Sequence, residues 1–110
     1  MCYLLANAIL MPYIIRYNRQ FTDKYDRVEK LLGIDDLPSA IEALNQKLNI
    51  PCCFQQCDEV AFVESKFQKV LDRMSQNAHA DPCTWTNPGK PSVADVKALY
   101  EASFYGKACC

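Results

Sequence analysis

Glycine is scarce in this sequence, and its scarcity excludes one large class of site. Only Gly33, Gly89 and Gly106 occur among the 110 residues, and they lie far apart. A loop that cradles nucleotide phosphates needs several glycines within a few positions, so that backbone N–H groups can approach the phosphate oxygens. No such phosphate-binding loop can be drawn anywhere in the chain.

Concentrated positive charge is also missing. Lysine and arginine total 12 against 13 aspartates and glutamates, the formal net charge is −1, and no basic cluster exceeds a scattered pair. A nucleic-acid-binding domain shows a basic patch or stripe as its electrostatic footprint. The sequence therefore predicts no nucleic-acid partner.

No hydrophobic run is long enough to cross a bilayer. The longest covers residues 4–15, and Asn7 and Pro12 interrupt it. A membrane-spanning helix needs about 20 consecutive apolar residues. A secretory signal peptide would carry a charged n-region and a small-residue cleavage site, and the opening residues show neither. The prediction is a soluble, cytoplasmic chain without a membrane partner.

Cysteine is frequent, but its pattern does not indicate a cystine-rich fold. Seven is an odd number, and together with the missing secretory signal it argues against a disulfide framework. Cys52, Cys53 and Cys57 form a cluster, yet no second pair of ligands follows at the spacing of a zinc site. A small metal or redox protein is therefore the least favoured function. The seven positions are Cys2, Cys52, Cys53, Cys57, Cys83, Cys109 and Cys110.

The opening segment is predicted to be a helix around which the rest of the chain is built. Within residues 4–15 only Asn7 is plainly polar, so no solvent-facing side can be drawn on a helix. A helix that is apolar all round is buried by other elements. Pro12 either opens this helix at its first turn or kinks it in the middle.

Two shorter helices follow. Thr22 is the predicted N-cap of a helix over residues 23–32, and Gly33 is placed as a C′ residue should be. Asp35 or Asp36 then caps a third helix, which ends before Pro51. The apolar stripes predicted on these helices are Tyr25, Val28, Leu31 and Leu32 on the second, and Leu37, Ile41, Leu44 and Leu48 on the third.

The second half of the chain predicts two more helices. Asp58 can cap a long one, interrupted near Glu64 and stopped by Asp81-Pro82, and a loop follows over residues 83–91. Ser92 with Asp95 reads as a capping box for the last helix. No segment alternates polar and apolar residues long enough to predict a strand, so the fold class is all-α: a single domain over residues 1–110, built as a bundle of about five helices. The predicted core positions are Val60, Val63, Phe67, Val70, Leu71, Met74 and Ala78, then Val93, Val96, Leu99, Tyr100 and Phe104.

Two stretches resemble a known enzyme family. Residues 5–13, LANAILMPY, are similar to the LANAILLPY stretch of iron-type (group III) alcohol dehydrogenases. Residues 77–88, NAHADPCTWTNP, with residues 90–92 and 95–96, are similar to the segment NAxxDxCTxTNPRxPT…DI near the C-terminus of these enzymes, in their butanol-dehydrogenase-like branch. With the spacing between them, the two stretches extend the resemblance over essentially the whole chain.

The resemblance implies the C-terminal helical domain of such an enzyme. In the family, this half packs against an N-terminal dinucleotide-binding half, and the cleft between them holds NAD(P) and an iron or zinc ion bound by one Asp and three His. The metal polarises the alcohol or carbonyl oxygen, and hydride passes to or from the nicotinamide. The sequence contains no nucleotide-binding half, so no cofactor is expected for this chain alone.

Two positions depart from the family pattern. Tyr3 and Leu4 stand where the family has a His-Gly pair whose His binds the metal, and a protonated phenol is a poor ligand for such a site. The other three ligands would lie upstream of Met1. Gly89 replaces the usual Arg. No catalytic residue and no metal ligand are therefore assigned to this chain, and His79 is expected to be a solvated or capping residue.

Cys83 is the one candidate binding residue. By resemblance it occupies a position whose side chain approaches the cofactor and substrate cleft; the alternative is a buried, inert thiol at a helix end. Asn87 and Pro88 are expected to fix the loop, since Asn side chains bond local backbone and Pro restricts φ. Trp85 is expected to cover apolar surface rather than to form a wall of the cleft.

Two functions are retained. The first is a C-terminal fragment of a metal-dependent NAD(P) alcohol dehydrogenase, inactive on its own, whose partner is the missing nucleotide-binding half. The alternative is a free-standing helical module that binds a protein. A domain that evolved to close one side of a cleft should expose an apolar patch, through which it could also self-associate. The resemblance places this patch at residues 83–87 and around Leu4, Leu5, Ala8 and Tyr13.

Overall fold

The computed structural model describes residues 3–56 and 64–106, and within these ranges the chain is helical without any strand. The all-α prediction is therefore confirmed. One short element was not predicted: α5 is a single turn inside what the sequence indicated as loop. The elements are α1 (Tyr3–Asn18), α2 (Lys24–Leu32), α3 (Leu37–Lys47), a 3-10 turn (Phe54–Gln56), α4 (Glu64–Ala80), α5 (Pro82–Trp85) and α6 (Val93–Tyr105).

The core lies where α1, α4 and α6 meet. Helix α1 packs against both α3 and α6, and α4 packs along α6. Phe67 of α4 and Phe104 of α6 stack with ring centroids 4.0 Å apart and planes within 5° of parallel. Ile9 of α1 and Leu71 of α4 complete this centre, each about 1–2% exposed. The predicted N-cap Asp58 and the predicted core positions Val60 and Val63 lie outside the described residues.

Pro12 lies inside α1 without ending it, because a distant side chain replaces the hydrogen bond that proline removes. Proline has no N–H to donate to the carbonyl four residues earlier, which is that of Ala8. The buried Asn45 of α3 donates its Nδ2 to this carbonyl at 3.0 Å. Helix α1 therefore remains continuous, and its repair fixes the position of α3.

Helix α2 turns a carboxylate inward, and its predicted apolar stripe is wrong. Glu29 is 6% exposed, whereas Leu31 and Leu32 are 86% and 63% exposed. The cause is Arg19, whose guanidinium donates to both Glu29 oxygens at 2.9 and 3.0 Å and to Asp36 at 2.7 Å. This ion cluster occupies the junction between α2 and α3 that the leucines were expected to fill.

The outer half of the α3 stripe is also misassigned. Leu44 and Leu48 are 54% and 60% exposed, because the inward positions of α3 are held by Pro38 and Asn45. The helical period was correct, but the rotation of the helix was not. The face that packs on α1 is chosen by the Asn45 hydrogen bond rather than by the leucines.

Helix ends follow local rules closely. The capping box is confirmed, since Asp95 N–H donates to Ser92 Oγ and Ser92 N–H donates to the Asp95 carboxylate. Asp36 caps α3 by accepting from the Ser39 N–H at 3.0 Å. Gly33 ends α2 in the left-handed region with φ of +69°. Only the start of α2 differs, because Asp23 rather than Thr22 is its N-cap residue.

The opening segment and the cysteines need two corrections. Tyr13, expected in an exposed patch with Leu5 and Ala8, is 4% exposed and donates its hydroxyl to the Cys52 carbonyl at 2.8 Å. The exposed apolar side chains of α1 are instead Met11 and Ile14, at 45% and 39%. The sequence argued against a disulfide framework; among the described cysteines, Cys83 is a free thiol and Cys52 is disulfide-bonded.

The membrane prediction rested on the same segment. No helix within residues 3–56 and 64–106 combines the length and the hydrophobicity that a bilayer crossing requires.

The Pro12 repair predicts a specific coupling. Asn45→Ala should lower the free energy of unfolding by about 1–3 kcal/mol, because it leaves the Ala8 carbonyl without a donor. In a Pro12→Ala background the backbone N–H returns, so the same substitution should cost clearly less. Urea unfolding followed by circular dichroism measures the cycle. The exposed neighbour Gln46→Ala is the control and should change stability by less than about 0.5 kcal/mol; equal Asn45 costs in both backgrounds would refute the repair.

The ion cluster predicts a contrast between two acids that contact the same arginine. Glu29→Ala should cost about 2–3 kcal/mol, because it removes a buried acceptor of both Arg19 and the Leu37 N–H. Asp26 also reaches Arg19, at 3.3 Å, but its side chain is 63% exposed. Asp26→Asn should therefore cost less than about 0.5 kcal/mol. Similar losses for both variants in urea unfolding would contradict the inward role of Glu29.

Candidate functional site

The loop that carries the second stretch of resemblance is fixed largely by its own side chains. Asp81 does more than stop α4: it caps α5 by accepting from the Cys83 N–H at 2.8 Å, with Pro82 in the first helical turn. Thr84 Oγ1 donates to the Ala78 carbonyl at 2.6 Å, and Thr86 Oγ1 donates to the Cys83 carbonyl at 3.0 Å. These polar groups are engaged in holding the backbone of the turn.

Asn87 joins the second stretch of resemblance to the helix that carries the first. Its Nδ2 donates to the Gly89 carbonyl at 2.7 Å, which is the local backbone bond expected of it. The same group donates to Asn18 Oδ1 at 2.8 Å, at the C-terminal end of α1. Asn18 is 4% exposed, and its own Nδ2 donates to the Tyr25 hydroxyl of α2. The role of Asn18 was missed, because nothing local in the sequence links positions 69 residues apart.

A cavity of about 240 Å³ lies beside this junction, between α1, the α5 turn and α6. None of the described side chains that line it is charged. Apolar groups dominate, and the polar members are the amides of Asn18 and Asn87, the hydroxyls of Tyr17, Thr84 and Tyr100, and the thiol of Cys83. The lining residues are Leu10, Ile14, Tyr17, Asn18, Ala78, Cys83, Thr84, Asn87, Pro91, Val96, Leu99 and Tyr100.

Both phenols at the cavity are held in their neutral form. Burial is the main cause that raises the pKa of Tyr17, and the negative charge of Asp95, which accepts from the Tyr17 hydroxyl at 3.3 Å, raises it further. Burial raises the pKa of Tyr100. Hydrogen bonds from the Ser92 backbone and then its hydroxyl lower the pKa of Asp95. At neutral pH the cavity therefore offers an uncharged wall, which suits an uncharged group better than an ion.

The thiol candidate Cys83 and the aromatic candidate Trp85 lie in different surroundings. Cys83 lines the cavity and is an exposed free thiol, so the alternative of a buried, inert cysteine is wrong. Its role at a cofactor cleft stays a prediction. Trp85 is 63% exposed and does not line the cavity, and the expectation that it covers apolar surface stays a prediction.

A larger depression of about 810 Å³ lies between α1 and α3, and no residue of the segment 77–96 lines it. An ion pair crosses it, in which Arg16 Nη1 donates to Glu42 Oε2 at 3.0 Å. Sequence reasoning did not anticipate this pair, since the two residues belong to different helices. The charged depression connects α1 to α3 and is separate from the Cys83 cavity.

The residues present do not fit the metal site that the resemblance implies. Tyr3, at the position of a family His ligand, opens α1. Among residues 3–56 and 64–106, no three His, Cys, Asp or Glu side chains come together as a metal-binding group. His79 lies in the last turn of α4. The part of the chain that the structure describes thus gives no donor set for iron or zinc.

Comparison with known proteins agrees with the two stretches. The family described as "Fe-containing alcohol dehydrogenase family, C-terminal" matches residues 4–104. The NADPH-dependent butanol dehydrogenase of Clostridium saccharobutylicum is 29% identical, over 92% of this chain and 28% of the relative. An alcohol dehydrogenase of Thermococcus barophilus is 31% identical, over 92% of this chain and 27% of the relative.

A third relative is named for a different activity. The lactaldehyde reductase of Escherichia coli K12 is 27% identical, over 90% of this chain and 27% of the relative. The chain thus spans little more than a quarter of the length of each of these three relatives. Since the family match extends over nearly all of its residues, the chain belongs to the Fe-containing alcohol dehydrogenase family and corresponds to part of the C-terminal helical domain.

Proposed function

We propose that this chain is the C-terminal helical part of a metal-dependent, NAD(P)-linked alcohol dehydrogenase that interconverts alcohols and aldehydes. In this role it forms one wall of the catalytic cleft and is inactive on its own. The observation that supports the proposal best is the Asn87–Asn18 hydrogen bond, which ties the second family stretch to the end of the helix that carries the first, beside the Cys83 cavity. The relatives are named for activities on butanol and on lactaldehyde, and these names supply the proposed substrate class.

The wall contributes shape and polarity rather than reactive groups. The hydroxyls of Thr84 and Thr86 are bonded to backbone, and the phenols near the cavity are neutral. Cys83 is the group left to approach a ligand in the cleft. When bound, the nicotinamide would supply the hydride chemistry, and the residues of this chain would orient the substrate and exclude water around it.

The alternative function, a free-standing helical module that binds a protein, is favoured by one observation. Exposed apolar side chains lie on α2 and α3, away from the cavity, and such surface often marks an interaction site. These side chains are Val28, Leu31, Leu32, Leu44 and Leu48. The two functions differ in the surface that a partner should contact. In the first, the partner contacts the end of α1 and the loop that carries Cys83. In the second, it contacts the exposed leucines of α2 and α3.

The purified chain should show no oxidation of butanol and no reduction of butanal, with either nicotinamide cofactor and with added iron or zinc. The reason is that the sequence holds no phosphate-binding loop and no donor set for the metal. Absorbance at the nicotinamide band measures turnover. Cofactor-dependent activity that persists through repeated purification would contradict the proposal.

A hybrid enzyme tests the proposed role directly. The matched C-terminal quarter of the Clostridium butanol dehydrogenase is replaced by this chain, either unchanged or with Tyr3→His. Both hybrids should bind NADPH, but only the Tyr3→His hybrid should retain stoichiometric iron or zinc and turn over butanal, because the fourth ligand is then restored. A Tyr3→Phe hybrid is the control and should match the unchanged one. Failure of both hybrids to bind NADPH would favour the free-standing module.

A further inference from the structure

Gly89 is a glycine for reasons of space, not of backbone conformation. Gly33 and Gly106 adopt φ of +69° and +76°, in the region that favours glycine, and Gly89 does not. Gly89 is nevertheless buried. A Cβ built on it would lie 2.2, 2.5 and 2.8 Å from Cδ2, Cε2 and Cγ of Phe21. The ring of Phe21 therefore occupies the volume that any side chain at position 89 would need.

Phe21 belongs to the same end of α1 that binds the loop by a hydrogen bond. Its N–H donates to the Asn18 carbonyl at 2.9 Å, which places it in the turn directly after the helix. Its ring lies 5.3 Å from the ring of Tyr17, tilted by 53°. Asn18 binds Asn87, while Phe21 covers Gly89 two residues later. The loop is thus held at two points by one helix end, one polar and one apolar.

We propose that Phe21 is the positioning residue of this loop, because its ring fills the space beside Gly89, where the family pattern has an arginine. The substitution by Gly89 and the presence of Phe21 form one matched arrangement. Its consequence is a loop edge that carries an aromatic ring in place of a guanidinium. This edge suits the uncharged part of a ligand and gives no ion pair to a phosphate. The statement about ligands rests on the proposed function; the packing does not.

The packing is tested by a double-mutant cycle in the chain itself. Gly89→Ala should raise the unfolding equilibrium constant by about tenfold, because the ring must leave its place to admit the Cβ. In a Phe21→Ala background the same substitution should have little effect or should stabilise, since alanine restricts the unfolded chain. Urea unfolding gives both numbers. Equal effects in the two backgrounds would overturn the proposal.

Trp85 supplies a readout of the loop that does not depend on the overall stability of the chain. It is the only tryptophan and lies in the same loop, so its fluorescence anisotropy under native conditions reports how firmly the loop is held. Phe21→Ala should lower the anisotropy. Adding Gly89→Arg to that variant should restore it, because the aliphatic stem of arginine refills the volume, whereas Gly89→Arg alone should not raise it above the unmodified chain.

Leu31→Ala is the matched control for this readout, because that side chain is 86% exposed and distant in sequence from the loop. It should leave the anisotropy unchanged. If Phe21→Ala also leaves the signal unchanged, or if Gly89→Arg fails to rescue it, Phe21 is not the positioning residue. These outcomes concern the isolated chain, so they do not depend on whether the hybrid enzyme binds NADPH.

Discussion

The hydrogen bond from Asn87 to Asn18 is the contact on which the rest of the arrangement depends, because it ties the loop over residues 83–91, here called the signature loop, to the end of α1. Neighbouring residues of the same helix end make further long-range polar contacts. Tyr17 donates to Asp95 at the start of α6, and Arg19 reaches Glu29 and the α3 cap. One helical turn therefore orients α2, α3, α6 and the loop. A helix with almost no polar side chains can do this only at its end, where its polar residues are concentrated.

Under the proposed function, this organisation explains what the chain contributes. The hydroxyls of Thr84 and Thr86 are engaged in holding the loop, and the phenols of the adjoining cavity stay protonated at neutral pH. A wall of this kind determines which molecule fits and excludes water, while the reactive groups come from elsewhere. The Tyr3 substitution agrees with that division, since it removes the one family ligand that this part of the chain would have supplied. The aromatic ring over Gly89 extends the uncharged character of the wall along the loop.

Local signals predicted the helices and their ends, and tertiary contacts decided the rest. Ser92 with Asp95, and Gly33, could be identified because a cap depends on residues within one turn. The rotation of α2 and α3 could not, because Arg19 attracts Glu29 inward and Asn45 is needed at the carbonyl that Pro12 leaves unbonded; these partners lie 10 and 37 residues away from the groups they bind. At the candidate site, resemblance identified Cys83 and the general role of Asn87. Asn18 and Phe21 were missed because only the folded chain brings them to the loop.

The most direct test of the central claim is the behaviour of the Asn87 side-chain amide in nuclear magnetic resonance of the labelled chain. If α1 and the signature loop form one unit, both amide protons should exchange slowly with solvent, because one group donates to two acceptors. Nuclear Overhauser contacts should then connect this amide to Asn18 and to the ring of Phe21. An Asn87 amide that exchanges as fast as that of the exposed Asn77, and that shows no contact to α1, would contradict the account.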